Sequence, residues 1–262
     1  MTFYPIFARF NLAIWCIFKL LHAPNVLKLA YTYPHMNREP IKKGGYCHVY
    51  NRGVDKRSVF SEPADYKRFL AYLYLLNTEE DLRANDIIKA RTFERILTLP
   101  RQKPLVAIGA YCLLPTHFRG YATPLVRNGV SRFMQRVQTA YTMYFNRKYK
   151  RIGALFQSTF KSRHIKDELD ARFLLAFMHL LPISLVDPEW KDLDRGELIR
   201  FEKDIAGYPY SSIGEYLSGT FSIVNPSGFP ALLSPKHRVD DHVTMWLRAR
   251  NEYRSLQRPT HM

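Results

Sequence analysis

Apolar positions from about residue 45 onward fall into two patterns: some alternate with polar positions, and others recur every three or four residues. Alternation is typical of strands, and the longer period is typical of amphipathic helices. The pattern predicts strands at 46–53, 106–113 and 120–124, with a short one ending the 153–163 loop. It predicts helices at about 63–76, 131–149, 167–181 and 240–253, and charged, partly helical segments at 78–101 and 191–205. The chain is therefore expected to mix helices and strands.

The first 40 residues differ from the rest and are expected to form an N-terminal extension. The apolar run at 10–21 is interrupted by Lys19 and is too short to span a bilayer, so stable membrane insertion is not expected. A signal peptide would also fit this run. A simpler interpretation is that Met36 is the true start of the protein. Residues 41–217 are then expected to form the main domain, and 218–262 a C-terminal extension with a helix.

The charge balance indicates a polyanionic partner. The 262 residues include 39 Lys and Arg against 23 Asp and Glu, a formal net charge of +16. Nucleic acid is the first candidate partner and an anionic membrane the second, although a basic soluble protein with neither is an alternative. The spacing of Cys16, Cys47 and Cys112 fits neither a metal site nor a disulfide framework, which favours a reducing, cytoplasmic location.

Basic residues concentrate on the 131–149 helix and on the segments around it, where aromatic residues are interleaved. Such a surface suits a phosphate backbone with bases stacking nearby, although a solvated helix face would look similar. The candidate DNA-binding residues are Arg52, Lys56, Arg57, Arg132, Arg136, Arg147, Lys148, Lys161 and Arg163.

A histidine and an arginine one residue apart, His117 and Arg119, follow the 106–113 strand. Strand periodicity puts both side chains on one face and turns Phe118 away. Two histidines at this spacing would form half of a divalent-metal site. Here the second position is Arg119.

Six motifs occur in an order that resembles the single-tyrosine HUH transposases of bacterial insertion sequences, especially the REP-associated tyrosine transposases. They are 48–53, 111–119, the 133–136 part of a helix, 153–161, a helix ending at 181–182, and the 208–212 turn. The resemblance covers about residues 45–217. It implies an α/β (α+β) fold with a central antiparallel sheet flanked by helices, and such proteins often form homodimers.

The resemblance also implies an activity, which is metal-dependent cutting and rejoining of single-stranded DNA with hairpins. Two histidines and an Asn or Gln from a helix hold Mg²⁺ or Mn²⁺, and a helix tyrosine attacks the phosphate to give a 5′-phosphotyrosine. His117 matches the first ligand. Arg119 stands at the second ligand, Phe177 at the tyrosine and Leu181 at the helix ligand. None of these three can supply the expected group. The Arg119 guanidinium has no free lone pair, the Phe177 ring has no oxygen, and the Leu181 side chain has no atom that can coordinate a metal.

Three hypotheses follow. The first is a transposase-family DNA-binding protein whose catalysis is impaired. The second is a non-enzymatic regulator that binds hairpin or single-stranded nucleic acid. The third is an active nuclease with a rearranged site, which uses His48 and His117 with Tyr141 or Tyr144.

Overall fold

A computed structural model describes residues 41–229 and 238–256. The expectations about residues 1–40, including the apolar run and Met36 as the start, lie outside the described residues. Within the described ranges no helix is long and apolar enough to cross a membrane.

Four strands form one antiparallel sheet. They are β1 (Cys47–Arg52), β2 (Val106–Leu114), β3 (His117–Pro124) and β4 (Lys161–His164), in the spatial order β2-β3-β1-β4. Every residue of β2 is buried, in agreement with its almost continuous apolar sequence. The expected central antiparallel sheet flanked by helices is confirmed.

The strand predicted at 120–124 starts earlier than expected, because β3 begins at His117. Only Pro115 and Thr116 separate β2 from β3, so the two strands form a tight hairpin. His117 pairs with Leu114 and Arg119 pairs with Cys112. Both site residues are therefore held by strand hydrogen bonds rather than displayed on a loop.

The helices in the described ranges are α1 (Pro63–Leu75), α2 (Ala84–Ala90), α3 (Phe93–Ile96), α4 (Gly129–Lys148), α5 (Glu168–Leu180), α6 (Arg195–Ile199), α7 (Glu202–Ala206), α8 (Ile213–Ser218) and α9 (Val239–Leu256). The long helices lie within two residues of their expected ends, except that α9 extends three residues further. Helix α5 starts at the N-cap Asp167, whose side chain accepts from the Asp170 backbone N–H, and continues into a 3₁₀ turn that contains Pro182.

Helices α1 and α4 cover one face of the sheet. The Phe118 ring on β3 contacts the Phe69 ring on α1 at 5.1 Å between centroids. On β1 the buried Asn51 amide donates to Gln138 Oε1 on α4 at 2.9 Å. Tyr141, also on α4, is fully buried beside Phe69.

Helices α5 and α9 pack against each other over the opposite face. The buried Trp246 of α9 stacks on Phe173 at 4.8 Å and contacts Trp190 in a tilted arrangement at 5.0 Å between ring centroids. His179 on α5 and His242 on α9 are both buried, with 3.3 Å between their Nδ1 atoms. The helix predicted in the C-terminal extension thus forms part of the core around α5.

Candidate functional site

Alternate residues of β1 and β3 build a cationic and aromatic surface under α5. His48 and Tyr50 share a face of β1, and the antiparallel register pairs Tyr50 with Arg119 of β3. Because side chains alternate across a strand, these residues face α5, whereas Val49 and Phe118 face α1 and α4. The fold thereby places Arg119 beneath the helix that carries Phe177.

Arg119 contacts aromatic and histidine side chains on this face. Its guanidinium carbon lies 5.0 Å from the centroid of the Phe177 ring and 5.6 Å from that of Tyr50. Its Nη1 lies 3.4 Å from Nε2 of the buried His48. A cation over an aromatic face is attracted by the ring quadrupole. The residues at the second ligand position and at the tyrosine position of the resembled family are thus in direct contact.

Lys191 joins the cluster from the 3₁₀ turn Trp190–Asp192, with its Nζ 5.5 Å from the Phe177 ring centroid. Burial and the neighbouring Arg119 charge lower the pKa of Lys191. Arg250 of α9 donates to the Lys191 carbonyl at 2.7 Å and to the Leu193 carbonyl at 2.8 Å. Helix α9 therefore fixes the segment that brings a second cation to Phe177.

Burial and nearby cations favour the neutral forms of the two histidines of this face, because they lower the pKa of both. The pKa of His48 is well below its ordinary value, because burial disfavours the charged form and Arg119, Arg163 and His117 add repulsion. The pKa of His117 is also well below its ordinary value, because of burial and the charges of Arg119 and Arg52. His117 Nδ1 lies 3.0 Å from the Thr116 hydroxyl oxygen.

A divalent ion does not fit the donor set at His117. In the described ranges no group of three His, Cys, Asp or Glu side chains is arranged to hold a metal. The register places His117 opposite Arg52 and His48 opposite Tyr121. The two histidines are thus four residues apart along the sheet, roughly 13 Å, with Arg119 between them. The permanently charged guanidinium of Arg119 would repel the ion. Leu181 is buried and offers no ligand atom.

Tyr141 and Tyr144, the nucleophiles of the rearranged-site hypothesis, belong to α4 on the other face of the sheet. Tyr141 is fully buried, its hydroxyl donates to the Val59 carbonyl, and burial raises its pKa. The Tyr144 hydroxyl donates to Asp65 at 2.9 Å. The sheet separates both tyrosines from His48, so the structure does not bring these groups together.

Five of the nine candidate DNA-binding residues form ion pairs within the described ranges, and for four of the five the partner lies in another part of the fold. Arg132 pairs with Glu79, and Arg136 pairs with Asp81 and also donates to the Thr78 and Glu80 carbonyls, so both hold the segment that follows α1. Lys148 pairs with Glu62 and the buried Asp65, and Arg163 pairs with the buried Asp170. These contacts give all four cations structural partners.

The other candidates are exposed, and most of them surround the end of β1. Arg52, Lys56, Lys161 and Arg147 form no ion pair within the described ranges, whereas Arg57 pairs with the exposed Asp55. Lys56 is displayed by a turn in which it adopts a left-handed backbone, φ 58°, which is uncommon outside glycine. The Arg52 carbonyl accepts from the Gln157 N–H at 2.9 Å, which holds the loop before Lys161 against β1. We call Arg52, Lys56, Arg57 and Lys161 the basic rim.

Lys191 and Tyr50 belong to the Arg119 cluster although neither is a predicted site residue. Tyr50 could have been found from the strand period, because it alternates with His48 on β1. Nothing in the local pattern marks Lys191, since its position depends on contacts between the 190–193 segment and Arg250.

Comparison with known proteins gives a structural similarity. No family model matches the sequence, and no curated protein matches it. A solved structure of a REP-associated tyrosine transposase bound to a REP hairpin is similar, with a TM-score of 0.42 and 14% identity over 79% of this chain and 98% of that chain. An inference about function therefore depends on the residues of this chain.

Proposed function

We propose that the protein binds single-stranded or hairpin DNA through its basic rim, in the cytoplasm, and does not cut it. In this proposal the protein is related to the single-tyrosine HUH transposases and has lost strand transfer. Binding is then its remaining activity, as it would be in a regulator.

The contact between Arg119 and Phe177 is the observation that supports the loss of cutting. Strand transfer in the resembled family needs a metal ion beside a nucleophilic oxygen. At the corresponding positions a guanidinium lies 5.0 Å from a phenyl ring. The cation disfavours Mg²⁺ or Mn²⁺, and the ring has no oxygen to attack the phosphate.

The basic rim supports DNA as the partner. Arg52, Lys56 and Lys161 are exposed on neighbouring segments tied to the end of β1. Lys and Arg side chains in such an arrangement displace counterions from a phosphate backbone, which drives binding at low salt. By contrast, the internally paired Arg132, Arg136, Lys148 and Arg163 would first have to leave their carboxylates. We therefore propose that the rim and Arg147 contribute more to affinity than these four.

The experiment uses a fluorescent DNA hairpin with a single-stranded tail, with Mn²⁺ present. We expect binding by fluorescence anisotropy that weakens steeply with salt, and no covalent adduct on a denaturing gel. A Mn²⁺-dependent adduct would contradict the loss of cutting. Absence of binding at low salt to both the hairpin and a single strand would contradict the proposal as a whole.

Charge-removing variants locate the surface. Lys161→Gln on the rim is expected to weaken binding and to lower the slope of log affinity against log salt by about 0.7–0.9. Lys203→Gln removes the same charge from an exposed position on α7, away from the rim, and serves as the matched control. Equal effects of the two substitutions would indicate a response to net charge rather than a binding surface.

A further inference from the structure

Ile152 is the most exposed large apolar side chain in the described part of the chain. It is 98% exposed, compared with 64% for Met143, 51% for Val186 and 40% for Leu82. A single exposed apolar residue is common on a protein surface. Ile152 differs because nearly its whole side chain is in solvent, on a turn whose backbone is fixed.

The turn is held at both ends. Past the C-terminus of α4, the Arg151 N–H donates to the Asn146 carbonyl and the Asn146 amide donates to the Gly153 carbonyl, both at 2.8 Å. Lys150 and Gly153 adopt left-handed backbones, φ 52° and 91°. A Cβ added at Gly153 would meet no atom within 4 Å, so the turn protrudes from its surroundings. Leu155, which is buried, returns the chain to the core.

Positive charge precedes this apolar tip along the chain. Arg147 and Lys150 are exposed and form no ion pair in the described ranges, and no acidic residue occurs between positions 147 and 152. The Arg151 guanidinium lies over the Phe145 ring at 5.7 Å, which directs it back along α4. A polyanion that reached Arg147 and Lys150 would therefore meet Ile152 as well.

The turn is also continuous with the basic rim. The Val54 N–H donates to the Leu155 carbonyl at 3.0 Å, and Gly53 forms a β-bridge with Phe156. The loop that displays Lys56 and Arg57 thus lies against the strand segment that directly follows the Ile152 turn. A nucleic acid that follows the rim would pass this tip.

We propose that Ile152 is a wedge that inserts against a base at the junction between the stem and the single-stranded tail of bound DNA. Apolar side chains used in this way separate neighbouring bases while adjacent cations hold the phosphates. The turn has the required parts, a rigid backbone, one apolar tip and cations beside it. This inference rests on the proposed DNA binding and names the residue that would recognise the junction.

DNA fits the tip better than a lipid surface does. Attachment to a bilayer by protein side chains uses an amphipathic helix whose whole apolar face is buried at the interface. From residue 147 to residue 155, Ala154 is the one exposed apolar residue besides Ile152, whereas cations flank the turn. One isoleucine is enough to fill the gap between two bases.

The test uses a hairpin DNA that carries 2-aminopurine at the first unpaired position beside the stem. For the unchanged protein we expect fluorescence to rise on binding, because the base loses its stacking partner. Ile152→Ser should abolish the rise and weaken binding by about tenfold, as loss of one buried apolar side chain implies. The salt slope should not change, since no charge is removed. Ile152→Leu should keep both the affinity and the signal.

Met143→Ser, which removes another exposed apolar side chain from α4, is the control and should change neither quantity. If the unchanged protein binds and Ile152→Ser shows the same affinity and fluorescence signal, the wedge is overturned and the proposed function remains intact. No binding by the unchanged protein would overturn both. Binding to phosphatidylserine vesicles that depends on Ile152, with an unchanged DNA signal, would assign the tip to a lipid surface and overturn the wedge.

Discussion

Two adjacent cations near the end of α4, Arg147 and Lys148, are both candidate DNA-binding residues by sequence, but the structure predicts different roles for them. The Lys148 ammonium contacts Glu62, the fully buried Asp65 and the Tyr144 hydroxyl. Arg147 is exposed and forms no ion pair within the described ranges. We expect Lys148→Met to destabilise the fold and Arg147→Met to weaken DNA binding.

The loss of stability expected for Lys148→Met depends on the hydrogen-bond donors that Asp65 keeps. Its carboxylate keeps the Ser61 N–H at 2.9 Å and the Tyr149 hydroxyl at 2.7 Å, but it loses its cationic partner. Removing one member of a buried ion pair costs about 3–5 kcal/mol, and a charged hydrogen bond contributes about 1.5–3 kcal/mol. Since other donors remain, we expect a loss of about 2–3 kcal/mol, which lowers Tm by about 4–12 °C in a domain of this size.

Thermal and urea unfolding followed by circular dichroism measure the stability of both variants, and anisotropy with hairpin DNA measures their affinity at several salt concentrations. Arg147→Met should unfold like the unchanged protein, and its salt slope should fall by about 0.7–0.9. Lys148→Met, measured well below its Tm, should keep the salt slope. A Lys148→Met variant that keeps its stability and loses DNA affinity would rule out a structural role for Lys148.

Three further predictions concern the same structure. The difference in stability between the unchanged protein and Lys148→Met should close as pH falls below about 4. Although burial raises the pKa of Asp65, the Lys148 hydrogen bond holds it below the unfolded-state pKa of about 3.9, so Asp65 adds stability above that pH and loses this contribution when it is protonated. Urea unfolding measured over an acid pH series checks the expected change. Arg119→His combined with Phe177→Tyr and Leu181→Asn should give a Mn²⁺-dependent covalent adduct with hairpin DNA on a denaturing gel, whereas Arg119→His alone should give none. Trp246→Ala should cost about 3–5 kcal/mol in urea unfolding, because the indole is fully buried between α5 and α9; a loss below about 1 kcal/mol would contradict this.

The periodic segments could be predicted from the sequence because their apolar residues meet one common core. Helix α4 was expected at 131–149 and extends over Gly129–Lys148. The predicted start of β3 was three residues late, because the sequence does not show how short the turn after β2 is; pairing with β2 places His117 and Arg119 within the strand.

The partners of Lys148 and Arg136 could not be predicted, since they are distant in sequence. Lys148 and Arg136 looked like members of one basic helix face, yet each meets carboxylates or carbonyls more than fifty positions away. The meeting of Arg119 with Phe177 was implied by the resemblance alone, because periodicity does not say which helix covers which strand. Whether the basic rim binds DNA remains a prediction.

The hydrogen bonds from α9 to the 190–193 segment affect when this region can fold during synthesis on the ribosome. Trp246 and Arg250 complete the surroundings of Phe177 and Lys191, and they leave the ribosome long after α5 and the sheet. Until then the rings of Phe177 and Trp190 lack a large part of their apolar cover, and the nascent chain is expected to expose apolar surface of the kind to which chaperones bind. Folding around this site is therefore expected to finish only after translation has passed α9.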